Sequence, residues 1–312
     1  MTSVWITGAY GFIGRYLARY LNEKDCKVSG IGHGAWPEAA QWGLSFWLNG
    51  EISASNLGHM RQSLGLPEVV FHLAGGSSVG AAIEHPFEDF IRTVDSTAEL
   101  LEWLRQHSPD TKLVSISSAA VYGSDHTGPI LETAATSPFS PYGSHKFMME
   151  ELCRSYAKNY GLNVVLPRLF SVYGTGLKKQ LLWDLCNKLS SNQFIELGGT
   201  GDELRDWIEI RDVVRGLEKL VPLASEKAGV INLASGTATS VRQIATMVTA
   251  VWNQKDVKPR EVRFSGVSRP GDPFSLVANV NQMHALDIEN RISLAQGVSD
   301  YVNWFHEQAK QA

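Results

Sequence analysis

Val4-Trp5-Ile6-Thr7-Gly8-Ala9-Tyr10-Gly11-Phe12-Ile13-Gly14 is the stretch on which the fold turns. Its first residues, mostly β-branched or aromatic, read with Ser3 as a strand. Its last three open an amphipathic pattern that predicts a helix over 12–23. Between them lie glycines at the spacing GxxGxxG. A phosphate needs backbone N–H groups close by and the positive end of a helix dipole, and glycine lets the backbone come that close. Three glycines alone fit a tight turn equally well. A strand before them and a helix after them favour a dinucleotide.

Outward from this turn, β-rich runs at 27–31, 44–48, 69–73, 112–117 and 163–169 alternate with helical patterns at 54–64, 87–106 and 142–159. Several runs are apolar throughout, as strands covered on both faces are. The alternation predicts right-handed βαβ crossovers and an α/β fold with a doubly wound parallel sheet of the Rossmann type. Residues 1–169 are expected to form this NAD(P)-binding domain. After Leu169, loops such as Gly198-Gly199-Thr200-Gly201 and Arg269-Pro270-Gly271-Asp272-Pro273 separate shorter elements. They predict a smaller, discontinuous C-terminal domain over 170–312. One run, at 229–234, is expected to return to the main sheet.

Among the 312 residues, 44% are hydrophobic and 19% charged, enough apolar surface for a core and too little charge for disorder. A net charge of −4 argues against a nucleic-acid partner, while local cations can still hold a phosphate. Cys26, Cys153 and Cys186 are odd in number, far apart and form no CxxC, so neither a disulfide framework nor a metal site is expected. No apolar run reaches membrane-spanning length and no leader-like segment precedes the first strand. A cytoplasmic protein with no membrane partner is expected.

The end of the second strand is where such folds read the adenosine ribose, and an acid there repels a 2′-phosphate. Here the run is Val28-Ser29-Gly30-Ile31-Gly32-His33-Gly34, without an acid. The cofactor expectation is therefore NAD(P), favouring NADP(H). His33 and Arg15 are the residues that could face a 2′-phosphate, against the plainer reading of both as surface groups.

Tyr142 and Lys146 stand four apart on the helix predicted over 142–159 and so share a face. A cation near the phenol, Lys146 or an oxidised nicotinamide, is expected to lower its pKa toward neutrality. Such a tyrosine can exchange a proton with a hydroxyl or carbonyl oxygen while hydride moves at the same carbon. Tyr–Lys pairs at this spacing are common on surface helices. Ser117-Ser118-Ala119-Ala120-Val121-Tyr122-Gly123 strengthens this one, since it puts a serine at a strand end, where such sheets bind ligands.

Together with Phe71-His72-Leu73-Ala74-Gly75, Pro167-Arg168-Leu169-Phe170-Ser171-Val172-Tyr173-Gly174, Arg205-Asp206-Trp207 and Arg269-Pro270-Gly271-Asp272, these stretches cover almost the whole chain. In order and spacing it resembles the extended short-chain dehydrogenase/reductases of the nucleotide-sugar epimerase/dehydratase group. The resemblance implies an NAD(P)-dependent oxidoreductase acting on a nucleotide-activated sugar. It implies that Ser118 hydrogen-bonds the reacting oxygen (Ser117 being the alternative), that Tyr142 is the acid/base, and that Lys146 orients the cofactor ribose and tunes Tyr142. Cofactor contacts are implied at Gly8, Gly11, Phe12, Ile13 and Gly14, and at Leu73, Ala74 and Gly75. Glu51 and Ile52 stand where Asp-Ile or Asp-Val lies near adenine. Thr93 replaces a usual asparagine, Gly75 a common alanine and Ser171 a frequent asparagine.

By the same resemblance Arg205 and Arg269 contact the phosphates of the sugar nucleotide, with Ser171 beside them. Permanently charged, bidentate forks suit that task. Structural salt bridges to Asp206 and Asp272 are the plainer alternative. Lys178 and Lys179 read as a solvated surface pair.

Several activities of the group fit poorly. Dehydratases carry Asp-Glu where this chain has Ala119-Ala120, and alanine transfers no proton. The glutamate of decarboxylases is missing from the same segment, and Cys153 and Cys186 do not match the fucose-synthase type. A 4-ketoreductase of a 4-keto-6-deoxy sugar nucleotide and an NAD-dependent 4-epimerase both need only serine, tyrosine and lysine. The missing ribose acid ranks the reductase first. A non-catalytic NAD(P)-binding regulator would keep the fold without turnover, and the intact Ser118, Tyr142 and Lys146 speak against it. Finally, Phe90, Val94, Leu100, Leu101 and Leu104, with Phe147, Met148, Met149, Leu152 and Tyr156, exceed what one buried face per helix needs. They predict a homodimer built on a four-helix bundle.

Overall fold

Eight strands make the main sheet: β1 (Ser3–Thr7), β2 (Lys27–Gly32), β3 (Phe46–Asn49), β4 (Val69–His72), β5 (Lys112–Ser115), β6 (Ser117–Ser118), β7 (Asn163–Leu169) and a late arrival at Gly229–Leu233. The computed structural model describes residues 1–191, 194–254, 259–267 and 273–311. From one edge the order is Gly229–Leu233, β7, β5, β4, β1, β2, β3, with β6 also beside β7. Every pair is parallel. The returning strand pairs Leu233 with Leu169, as the run at 229–234 predicts.

Period-two alternation explains why these strands are apolar throughout. Val4, Ile6, Val69, Phe71, Val114 and Val165 pack into one core. Their neighbours Trp5, Val70, Leu113, Val164 and Leu166 pack into another on the opposite face. Helix α1 (Phe12–Asn22) covers the first face; α2 (Ala54–Leu64) covers the second. Further along come α3 (Val79–Glu84), α4 (Pro86–Phe90), α5 (Ser96–His107) and α6 (Pro141–Tyr160). The winding reverses between β1 and β4, which opens a crevice beyond their C-terminal ends.

Three sequence expectations change in detail. The helix expected over 87–106 is interrupted by a π-helical turn at Ile91–Asp95. The hydroxyls of Ser96 and Thr97 bond back to the carbonyls of Arg92 and Thr93, at 2.6 and 2.5 Å, and compete with the regular ladder. The strand expected over 112–117 breaks at Ile116, and β6 moves on to pair with Arg168 and Leu169 of β7. The strand expected at 44–48 begins at Phe46. The apolar surplus is smaller than the sequence suggests: Val94, Leu100, Leu101, Leu104 and Met149 are buried in this chain's own core, while Met148 is exposed. Periodicity marks an apolar face without saying what covers it.

The remaining elements build smaller sheets over a third core. Here β8 (Ser171–Tyr173), β9 (Phe194–Leu197) and β10 (Leu204–Glu209) precede the returning strand, β11. β12 (Ala238–Ser240), β13 (Glu261–Phe264) and β14 (Ser275–Leu276) follow it. β10 pairs with β8, β12 and β14, and β9 pairs with β13. Among the described residues no helix is long and apolar enough to cross a membrane.

Candidate functional site

The glycine turn has the form a phosphate cradle requires. Gly8 has φ +68°, and a Cβ there would lie 2.9 Å from the Ala74 amide nitrogen, so only glycine lets the turn touch the loop after β4. A Cβ on Gly14 would meet Ala9 Cα at 2.6 Å, so that glycine seats α1 against the turn. Gly11 caps α1 without a side-chain hydrogen bond, and the first turn carries no acid. That leaves the N-terminus of an 11-residue helix open to an anion. Phe12 and Ile13 form its first turn and are partly buried.

At the end of β2 the sequence leaves His33 and Arg15 as groups that could face a 2′-phosphate or as plain surface groups. His33 is exposed. The Arg15 guanidinium donates to the Tyr10 carbonyl at 2.9 Å and lies 4.3 Å from the Tyr10 ring centroid. Trp47 comes within 3.1 Å of where a Gly32 Cβ would be. Glu51 is exposed and Ile52 leans on the second core.

A hydrogen-bond chain fixes the loop Leu73-Ala74-Gly75. Thr97 donates its proton to Thr93 O, so it accepts from His72 Nε2 at 2.9 Å. His72 Nδ1 is then the acceptor of the Thr7 hydroxyl at 2.8 Å, and Thr7 Oγ1 accepts the Ala74 amide at 3.3 Å. Burial, with the Lys146 charge, pushes His72 down to about 3. The ring is neutral when folded and binds a proton below about pH 6.5 when unfolded, so its contribution is complete above 6.5 and is lost as pH falls toward 3. Between pH 7 and pH 5 this group should cost about 2 kcal/mol of stability. Urea melts of wild type and His72→Gln at both pH values test it; equal pH dependence would refute it.

Ser118, Tyr142 and Lys146 converge. Tyr142 hydrogen-bonds Ser118, whose Oγ also accepts the Ala120 amide at 3.2 Å. Ser117 instead donates at 2.5 Å to the buried Glu150, which pairs with buried Arg168 at 2.7 Å. Of the two serines, Ser118 is the one that meets Tyr142. Lys146 donates at 2.9 Å to Ile116 O, the carbonyl freed where the β5 strand breaks. Gly75 faces it: a Cβ there would lie 3.3 Å from Lys146 Nζ and from Thr93 Oγ1. Burial raises the Tyr142 phenol, against the Ser118 hydrogen bond, and the Asp89 charge raises it further. Burial, the largest influence on Tyr142, reverses the expected lowering, and burial also pulls Lys146 down to about 8.

Ser118 pairs with Leu169, the last residue of β7, and Ser171 at the start of β8 lines a cavity of about 620 Å³. Ser171, Arg205, Trp207, Glu203 and the 61%-exposed Phe274 are among its walls. Alternation along β10 sends Arg205 and Trp207 to the cavity side and Asp206 to the other. Asp206 accepts from Ser235, Gly236 and Ala278, and among the described residues it makes no bridge to Arg205. Arg205 Nη1 donates to Leu204 O and Pro273 O, both at 2.8 Å. Arg269 and Asp272 lie outside the described residues. Lys178 is exposed, but Lys179 is not a solvated lysine: burial lowers its pKa, and it donates at 3.0 Å to Ser77 O, after the β4 loop. Among the described residues no group of His, Cys, Asp or Glu is placed to hold a metal ion.

A parallel sheet with a glycine-turn phosphate cradle and a Ser–Tyr–Lys cluster at its C-terminal edge defines a dinucleotide-dependent oxidoreductase. The profile of the NAD dependent epimerase/dehydratase family matches residues 4–234, and the chain belongs to that family. It is similar to the UDP-glucuronate 4-epimerase of Thermodesulfobacterium geofontis, 26% identical over 320 residues that cover 97% of this chain and 95% of the other. Among solved structures it is similar to MoeE5 in complex with UDP-glucuronic acid and NAD, 28% identical, with TM-score 0.86 and coverage of 98% and 99%. A UDP-glucuronic acid 4-epimerase from Bacillus cereus, in complex with UDP-glucuronic acid and NAD, is 26% identical, with TM-score 0.86 and coverage of 98% and 100%. The expected extended short-chain dehydrogenase/reductase of the nucleotide-sugar group is thereby met.

Proposed function

We propose that the protein is an NAD-dependent 4-epimerase of a UDP-sugar. The observation that carries this reading is the cluster Ser118, Tyr142 and Lys146 followed by a turn of two alanines, Ala119 and Ala120. It provides for removing and returning hydrogen at one carbon, without a second acid/base pair in that turn to expel water. Similarity along nearly the full chain to UDP-sugar 4-epimerases supports it. The reductase, ranked first from sequence, depended on the β2 end, where Arg15 is engaged with Tyr10 and the aromatic faces around it. NAD is accordingly the cofactor proposed.

Gly8 and Gly11 to Gly14 would hold the pyrophosphate, and Leu73, Ala74 and Gly75 would line the cofactor beyond it. NAD, when bound, supplies the hydride acceptor and donor, and a positive charge near the phenol while oxidised. The rest falls to side chains. Tyr142 Oη takes the proton of the C4 hydroxyl and later returns it, and the Ser118 hydroxyl holds the same oxygen. Lys146, anchored on Ile116 O, presents its ammonium beside Gly75 and Thr93. Residues 170–312 would mainly bind the nucleotide end, through Arg205 and Ser171 in the cavity wall. Arg269 would join them by the resemblance noted in its sequence.

The test is to incubate the protein with UDP-glucuronic acid or UDP-glucose and NAD and to follow products by anion-exchange chromatography. The C4 epimer should form without net accumulation of NADH. Stoichiometric NADPH consumption by a 4-keto-6-deoxy sugar nucleotide, with no epimer formed, would restore the reductase.

A homodimer is also proposed, through a stripe that shares only Met148 with the residues read from the sequence. Ile83, Phe87 and Ile91, four apart, are 61%, 76% and 40% exposed, and Met148 is 46% exposed. The charges beside them, Glu88 and Arg92, already pair with each other. An isologous contact would bury this stripe. Phe87→Glu is expected to convert a dimer to a monomer in light scattering at micromolar concentration. A monomeric wild type would count against it.

A further inference from the structure

Two side chains that the proposed reaction does not use, one buried and one half-buried, meet beside Tyr142 and Lys146. Asp89 lies on α4 and His145 on α6, three residues after Tyr142 and one before Lys146. His145 Nδ1 and Asp89 Oδ2 are 2.6 Å apart, with side chains only 12% and 6% exposed. A carboxylate can only accept, so Nδ1 donates. The other carboxylate oxygen lies over Gly76, where any Cβ would land on Asp89 Oδ1. Gly76 N donates at 2.8 Å to Thr93 Oγ1 in the π-helical turn, and the Phe90 ring meets the imidazole edge-on at 5.6 Å. The pair thus joins the loop after β4, the interrupted helix and the first turns of α6. These are the elements that carry or face Tyr142 and Lys146. A buried polar pair contributes little net stability, and an apolar pair could fill the same space, so stability alone does not account for it.

We propose that Asp89 and His145 are a positioning pair for the Tyr142–Lys146 couple: His145 holds the Asp89 carboxylate, and the carboxylate sets the Gly75–Gly76 loop and stands as a fixed negative charge behind the phenol and the ammonium. The inference rests on the reading of that couple as the acid/base machinery. A fixed negative charge favours the protonated form of both groups. It opposes the burial that pulls Lys146 to about 8, and it adds to the burial that raises Tyr142. Glu150 and Cys153, on α6, act on Lys146 in the same direction as Asp89, and His72 on β4 is neutral beside it.

Removing the Asp89 charge should therefore lower both titrations, a result that a purely structural tie would not give. Wild type, Asp89→Asn, Gly76→Ala, His145→Asn and His145→Leu are compared by ultraviolet difference titration of tyrosinate, with Tyr142→Phe as the blank that isolates Tyr142. The pH profile of kcat/KM for UDP-glucuronic acid is measured alongside. Asp89→Asn should move the Tyr142 titration and both limbs of the profile to lower pH by about one unit. Gly76→Ala, which displaces the carboxylate, and His145→Leu, which frees it, should do the same. His145→Asn, whose amide nitrogen takes the place of Nδ1, should restore the wild-type profile. Loss of activity in Asp89→Asn with the titration and both limbs unmoved overturns the proposal, as does wild-type behaviour in every variant. If the titration shifts but the wild type does not epimerise UDP-glucuronic acid, the pair stands and the proposed reaction fails.

Discussion

Tyr142→Phe is expected to lower kcat for 4-epimerisation by roughly 10²- to 10⁴-fold, the range for a positioned acid/base. The substitution removes one oxygen and little volume. It leaves the ring where it packs and deletes the atom that shares a hydrogen bond with Ser118. Because that atom acts on the transferring proton, the loss should fall on kcat, with KM and the affinity for NAD nearly unchanged. The raised pKa of Tyr142 sets the sign of the pH dependence: the base form is scarce near neutrality, so activity should rise with pH until Lys146, held near 8, loses its proton. Ser118→Ala should reduce turnover less, since it removes a hydrogen bond to the oxygen and spares the proton carrier. Turnover in Tyr142→Phe within a few-fold of wild type would remove Tyr142 from the mechanism.

Tyr142 and Lys146 could be found in the sequence because their relation is local, four residues on one helix. The glycine turn could be found for the same reason. What the sequence hid was what depends on distant pairing. Asp89 and His145 are 56 positions apart, and His145, though it lies between Tyr142 and Lys146, is not one of the residues that define their motif. The chain from Thr7 through His72 to Thr97 crosses two strands and a helix, so only His72 was noticed, as part of a string of residues. Burial was equally hidden. It reversed the expected direction for Tyr142 and turned Lys179 from a solvated lysine into a bridge to Ser77. The sequence leaves Ser117 and Ser118 as alternatives, and the partner that occupies Ser117, Glu150, is a buried acid 33 positions later. The cofactor expectation drew on a missing acid at the end of β2. It took no account of Arg15's attachment to Tyr10, a contact across the glycine turn that composition does not show.

Arg205→Ala should weaken binding of UDP by about 2–4 kcal/mol, the scale of losing a charge-assisted fork, while NAD affinity stays at the wild-type value. The chain is negative overall, so the cation beside a diphosphate must overcome an unfavourable field. Alternation along β10 turns Arg205 toward the cavity shared with Ser171 and Phe274. Binding energy gained there, away from the reacting carbon, is what holds a sugar in register with Tyr142, so a weakened grip should lower kcat/KM along with affinity. Arg205 also donates to Leu204 O and Pro273 O, and its removal could loosen the cavity wall itself. Two controls separate the effects. Thermal melts report the structural share, and Arg205→Lys keeps the charge but not the planar fork, so it should recover stability more fully than UDP affinity. Titration calorimetry with UDP and with NAD completes the test. Equal UDP affinity in wild type and Arg205→Ala would take the cavity out of nucleotide binding and leave a UDP-sugar without its anchor in this wall.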